Sequence, residues 1–249
     1  SRGAPAPPGG RVGVAAAMSG LKGLIQRCTG GLVYGASETP QFLILGLDKA
    51  GKTTLLYRLK IGQSWEGMEK DLEKMRRPRP EADGRTEDPG YHYEELSFPR
   101  QFGCGIWDVP GTEPMRRVWS CFYRAIKIHG VIFVVAEWEK DEERIELAKK
   151  HLHFLVNEDE LRHAAFCVIF NTDKRIMKAA TEGKDDVRNS ELYYRLSLHT
   201  LHSTCKWRTD TFRLNVNDLG ARESAKSWND VLTHMRNVLT DPRGFDMKF

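Results

Sequence analysis

The stretch GLDKAGKT, Gly46 to Thr53, has the residue types and spacing to handle phosphate. It fits G-x-x-x-x-G-K-[ST], and it falls between a buried apolar run, QFLILGL (41–47), and a helix-forming run, KTTLLYRLKI (52–61). A glycine-rich turn from strand to helix points backbone N–H groups inward. It adds the positive end of a helix, and together these attract a phosphate chain. Lys52 is placed to reach β- and γ-phosphates, and the Thr53 hydroxyl to bind magnesium. Gly46, Asp48, Lys49, Ala50, Gly51, Lys52, Thr53 and Thr54 are therefore the candidate nucleotide-binding residues.

Such a loop needs a strand behind it and a helix in front, and the chain supplies this alternation repeatedly. After 41–61 come CGIWDV (104–109) as a strand and EPMRRVWSCFYRAIKI (113–128) as mostly helix. GVIFVVA (130–136) is a strand, DEERIELAKKHLHFLV (141–156) a long amphipathic helix, and AAFCVIF (164–170) a strand. SELYYRLSL (190–198) is a helix, TFRLNV (211–216) a strand, and ESAKSWNDVLTHMRNVL (223–239) a closing helix. This order predicts an α/β domain over 38–240, with a largely parallel sheet covered by helices on both faces and a tail at 241–249.

Two segments depart from the rhythm. SRGAPAPPGGRVGVAAA (1–17) is too poor in large apolar groups to build a core. Met18, Leu21, Leu24, Ile25 and Cys28 then recur at helical spacing, so 1–37 reads as an arm ending in a short amphipathic helix. Residues 62–90 mix both charge signs with Pro78, Pro80 and Pro89, and read as a long insertion. The net charge of +4 lies wholly in the arm, which holds Arg2, Arg11, Lys22 and Arg27 and no acid. The remaining 34 basic side chains balance 34 acidic ones, which leaves no basic footprint for nucleic acid. Five scattered cysteines without a C-x-x-C pair suit a reducing, intracellular compartment.

The runs LILGLDKAGKTTLLYRLKIG, WDVPG, HGVIFVV, NEDELRHA and SELYYRLSLHTL together resemble the ADP-ribosylation factor (Arf) and Arf-like small GTPases. The likeness covers roughly 41–239, with 62–90 unmatched. It implies a Ras-like P-loop GTPase fold, with a mostly parallel six-stranded sheet and helices on both faces. It also implies GTP or GDP with Mg²⁺ as ligands, and partners recruited through two switch loops. Asp108 matches the family's strand-end Asp, which holds magnesium through water, so Thr53 and Asp108 are the implied metal residues. Gly111 matches the glycine whose N–H meets the γ-phosphate.

Other positions depart from the family. Pro110 stands where the pattern has Gly; it fixes φ and removes a donor. Thr112 stands where the catalytic Gln orients the attacking water, and its side chain is shorter. The first-switch Thr has no clear match, since Pro89 falls near its place and Thr86 is the nearest candidate. In NTDKR (171–175), Asn171 keeps its place and is expected to brace the phosphate loop. Thr172 replaces the family's Lys. Lys174 replaces the Asp that accepts bonds from guanine, and a Lys has only donors. Asp173 would serve if the loop slipped by one residue. Val216, in LNVND, falls near the family's base-contacting loop.

These residues lead to an expectation of a nucleotide-binding, hydrolysis-impaired Arf-like protein that works as a subunit of a larger assembly. Its protein partners would be met through 1–37 and 62–90. An active regulatory GTPase and a nucleotide-free pseudoGTPase are the alternatives, and ATP or ADP is not excluded as ligand. Ser19 follows Met18 where the family's lipid-bearing Gly is expected, so the myristoylation pattern is not met, although membrane proximity stays open. The Ala- and Arg-bearing arm favours a mitochondrial location, with the cytosolic face of a membrane as the family default.

Overall fold

The structure, a computed structural model, describes residues 39–62, 90–181 and 186–247. The arm at 1–37, with the helix expected there and Cys28, lies outside them, as do 63–89 of the insertion with Thr86 and Pro89. Six strands form one sheet: β1 Gln41–Leu45, β2 His92–Ser97, β3 Gly103–Asp108, β4 Gly130–Ala136, β5 Ala165–Asn171 and β6 Thr209–Leu214. Their order is β2-β3-β1-β4-β5-β6. All neighbours are parallel except β2, which runs antiparallel to β3. The helices are α1 Lys52–Ile61, α2 Glu113–Arg116, α3 Trp119–Ala125, α4 Glu142–Val156, α5 Lys174–Thr181, α6 Glu191–Arg195, α7 Leu198–Thr204 and α8 Arg222–Thr240.

Strands β4 and β5 are buried at every residue, as continuous apolar runs in the middle of a parallel sheet should be. Side chains on one face, Leu43, Trp107, Phe133 and Phe166 among them, pack with α3, α4, α6 and α7. Those on the other face, Phe42, Ile106, Ile132 and Val134 among them, pack with α1 and α8. Helices thus cover both faces, and the Ras-like α/β architecture is the one observed. The run 113–128 is two helices rather than one. The break falls where Val118 N–H bonds back only three residues, to the Met115 carbonyl, and the turn tightens to bury Trp119.

The described part of the tail, 241–247, packs back on the domain. Phe245 lies against His129, with ring centroids 4.5 Å apart, and His163 Nδ1 is 2.8 Å from the Arg243 carbonyl. No helix among the described residues is long and apolar enough to cross a membrane.

The four described cysteines are free thiols. Burial pushes the Cys104 thiol up to about 12 and raises Cys167 as well, while Cys121 and Cys205 are half-buried. Since the thiolate is the nucleophile, iodoacetamide at pH 8 should label Cys121 and Cys205 and spare Cys104 and Cys167 in the native protein. Peptide mapping that finds all four labelled at one rate would contradict this packing.

Candidate nucleotide site

At the end of β1 the chain turns through positive φ values at Gly46 (136°), Lys49 (63°) and Gly51 (98°) before α1 begins. Gly51 occupies the left-handed region at the helix start, where its freedom lets the N–H groups of α1 face the turn. Lys52 is buried, and its ammonium donates to the Leu47 carbonyl at 2.7 Å, so the side chain folds back across its own loop. Burial lowers Lys52 to about 8, opposed by the nearby charges of Asp108 and Asp48. Thr53 and Thr54 follow in the first turn of α1, half-buried.

Asp108 ends β3, beside β1, and is almost wholly buried. Its Oδ1 has no hydrogen-bond partner among the described residues, and its Oδ2 lies 3.6 Å from His92 Nδ1. A buried carboxylate oxygen left bare is costly unless a cation or water meets it. With the Thr53 hydroxyl in the adjoining turn, this donor set suits a hard, oxygen-seeking ion such as Mg²⁺.

Gly111 approaches the phosphate loop so closely that a Cβ there would fall 2.1 Å from the Gly46 carbonyl oxygen and 2.6 Å from Asp48 N. Two donors from the following helices hold this loop. Arg116 Nη1 donates to the Gly111 carbonyl at 2.7 Å, and Trp119 Nε1 to the Pro110 carbonyl at 3.0 Å. Thr112 precedes α2, and its buried hydroxyl makes no hydrogen bond among the described residues.

On the other side, Asn171 at the end of β5 is buried. Its Nδ2 donates to the Ala50 carbonyl at 3.0 Å, and its Oδ1 accepts from Val216 N at 3.3 Å. One amide thus ties the phosphate loop to the loop after β6. Thr172 is buried beside it. Asp173 Oδ1 accepts from the Arg175 and Ile176 N–H groups at 2.8 and 3.0 Å. These bonds start α5 and hold the Asp173 carboxyl below its usual range. That carboxylate is engaged by its own helix. Lys174 Nζ lies 2.8 Å from Asp218 Oδ2 across the same mouth.

The structure therefore gathers Gly46 to Thr54, Asp108, Gly111 and Asn171 around one loop. It also shows partners that the sequence reading did not include. Arg144 in α4 donates to the Asp48 side chain at 3.2 Å and to the Asp48 carbonyl at 2.8 Å, while its Nε meets Glu139 at 2.7 Å. His92 and Asp218 likewise reach the site from elsewhere in the chain, and Arg116 and Trp119 from the helices just after Gly111. The signals for them are weak. An Arg one turn into an amphipathic helix reads as a solvated face.

A family model described as "ADP-ribosylation factor family" matches residues 32–70 and 86–211. The gap between the matched segments falls inside the insertion. The "ADP-ribosylation factor-like protein 1" of Saccharomyces cerevisiae (strain ATCC 204508 / S288c) is 35% identical over 139 residues. That alignment covers 56% of this chain and 63% of the yeast protein, so the chain spans a little under two thirds of that relative's length.

Proposed function

The chain belongs to the ADP-ribosylation factor family, whose members bind guanine nucleotides with Mg²⁺, and from that premise we propose that it keeps a nucleotide as a long-lived ligand and hydrolyses it slowly. One observation carries the reading. The phosphate loop has its full set of residues, while the loop facing it holds Pro110 and Thr112 and is fastened by Arg116 and Trp119. Retention needs only the first. Turnover needs a positioned water and a loop that moves.

In this reading Lys52 and the backbone from Asp48 to Thr54 bind the phosphates, Gly111 closes over them, and Asn171 keeps the loop in shape. Thr53 and Asp108 would hold magnesium, which supplies charge neutralisation for the phosphate oxygens. The base is gripped loosely, because Lys174 offers donors where an acceptor is wanted and its ammonium is already paired with Asp218. Adenine and guanine nucleotides should then bind within about tenfold, or ~1.4 kcal/mol, of each other. The protein acts through partners, which meet the arm at 1–37 and the insertion at 62–90. The arm's composition favours a mitochondrial site of action.

An active regulatory GTPase is the second reading, favoured by the retained pair of Asp108 and Gly111. Purified protein should release a nucleotide on denaturation, be stabilised against heating by GTP, GDP and ATP alike, and show slow single-turnover hydrolysis. Assisted or intrinsic hydrolysis at ordinary family rates would overturn the first reading in favour of the second. The absence of any bound or stabilising nucleotide would overturn both.

A further inference from the structure

A groove of about 330 Å³ opens between α2, α3 and α4, next to the Pro110–Gly111 loop that its lining residues Arg116 and Trp119 hold. That volume is at the small end for ligand pockets, and it suits one or two side chains rather than a cofactor. Trp119 and Tyr123 form its buried wall, and Phe154 stands at its lip with 58% of its surface exposed. Arg116, Arg117, Arg124 and Lys150 surround it, and none of the residues lining it is acidic.

The acids nearby offset two of these four charges and leave those of Arg116 and Lys150. Glu113 pairs with Arg117 at 2.6 Å and Glu160 with Arg124 at 3.2 Å, both at exposed sites where such pairs contribute little. Glu158 stands beside Glu160 and Tyr123, outside the lining. Arg116 donates to a neutral carbonyl, that of Gly111, and Lys150 makes no ion pair among the described residues. The imidazole of His151, inside the groove, registers the result. Burial lowers its pKa, and the charges of Arg116 and Lys150 lower it further.

We propose that this groove docks a short acidic peptide segment of a partner protein, with one aromatic side chain seated against Trp119 and Phe154 and carboxylates against Arg116 and Lys150. Exposed aromatic surface ringed by cations is complementary to that chemistry. A bilayer surface is flat and would meet the rim without filling the concavity. The body of the protein has balanced charge, so it does not offer the extended basic track that a nucleic acid needs.

Docking also reaches the nucleotide loop. A carboxylate is a stronger acceptor for Arg116 than the Gly111 carbonyl, so the occupant draws the guanidinium away and loosens the loop.

The test uses the full-length protein and a synthetic acidic heptapeptide with one central phenylalanine, followed by calorimetry and by NMR of the His151 ring. Saturable binding is expected, with the His151 pKa moving upward as carboxylates arrive. Lys150→Glu and Phe154→Ser, both at exposed positions, should each weaken binding at least tenfold. No saturable binding at about 1 mM would overturn the proposal. So would equal binding of an all-glutamine version of the peptide, or insensitivity to both substitutions. Tighter binding through the same two residues by phosphatidylserine vesicles or by oligothymidylate would replace the peptide with a membrane or a nucleic acid. Each readout is taken at one fixed nucleotide condition and none measures hydrolysis, so their failure is distinct from failure of the proposed function.

Discussion

Lys52→Ala is expected to empty the protein of nucleotide. The ammonium is buried, and in the absence of phosphate it already leans on the Leu47 carbonyl and the charges of Asp108 and Asp48. A β- or γ-phosphate oxygen would replace that weak solvation with charge-assisted bonds. Two such bonds at about 1.5–3 kcal/mol each correspond to roughly two to four decades of affinity. Alanine also removes a cation whose charge faces Asp108, so that carboxylate repels the phosphates more strongly. Chromatography of the denatured protein should find nucleotide in the wild type and almost none in the variant, with the helical circular dichroism unchanged. A folded variant that still carries nucleotide at wild-type occupancy would place the ligand elsewhere.

The largest loss of stability should come from Glu137→Ala. Glu137 follows β4 and Arg213 lies in β6, and both side chains are nearly sealed from water, at 7% and 5% exposure. Arg213 Nε donates to the two Glu137 oxygens at 3.0 and 2.9 Å, and Nη2 donates at 2.5 Å. Removing the carboxylate takes away the acceptor of three Arg213 bonds in a nearly dry site, and breaking a buried pair in this way costs up to about 3–5 kcal/mol. For a domain of this size that lowers the melting temperature by about 10 °C. The double variant Glu137→Leu with Arg213→Met should recover most of it, because both charges of the pair are then replaced by apolar groups. A single variant that melts within about 2 °C of wild type would show the pair to be wetter than it is here.

Strands β4 and β5 were legible because burial on both faces demands unbroken apolar runs. The phosphate loop was legible because its glycines and Lys52 leave little choice of geometry. Strand β2 carries HYEELS at the sheet edge, with intermediate or exposed residues throughout, and no apolar run marks it. It is fixed instead by pairing, for example by Tyr93 against Trp107 at 4.5 Å, which only a folded partner strand reveals. Helix α5 is hidden in the sequence because NTDKR resembles a base-contacting loop, whereas Asp173 uses its carboxylate to start a helix. The Arg144–Asp48 and Lys174–Asp218 contacts join loops far apart in sequence, and an unaligned chain carries no periodic signal for such pairs.

The fastening of Pro110 and Gly111 has a consequence for what the protein can report. To move a two-state loop from one per cent to ninety-nine per cent populated, a ligand must favour one state by about 5.5 kcal/mol. Here the hydrogen bonds from Arg116 and Trp119, at about 0.5–1.5 kcal/mol each, bias the loop before any third phosphate arrives, and the proline narrows the alternatives. A terminal phosphate must overcome that bias before its presence changes the surface. On the proposed reading the populations with and without it would overlap, and a partner sensing that surface would learn how many copies of the protein are present, and little about which nucleotide each one holds.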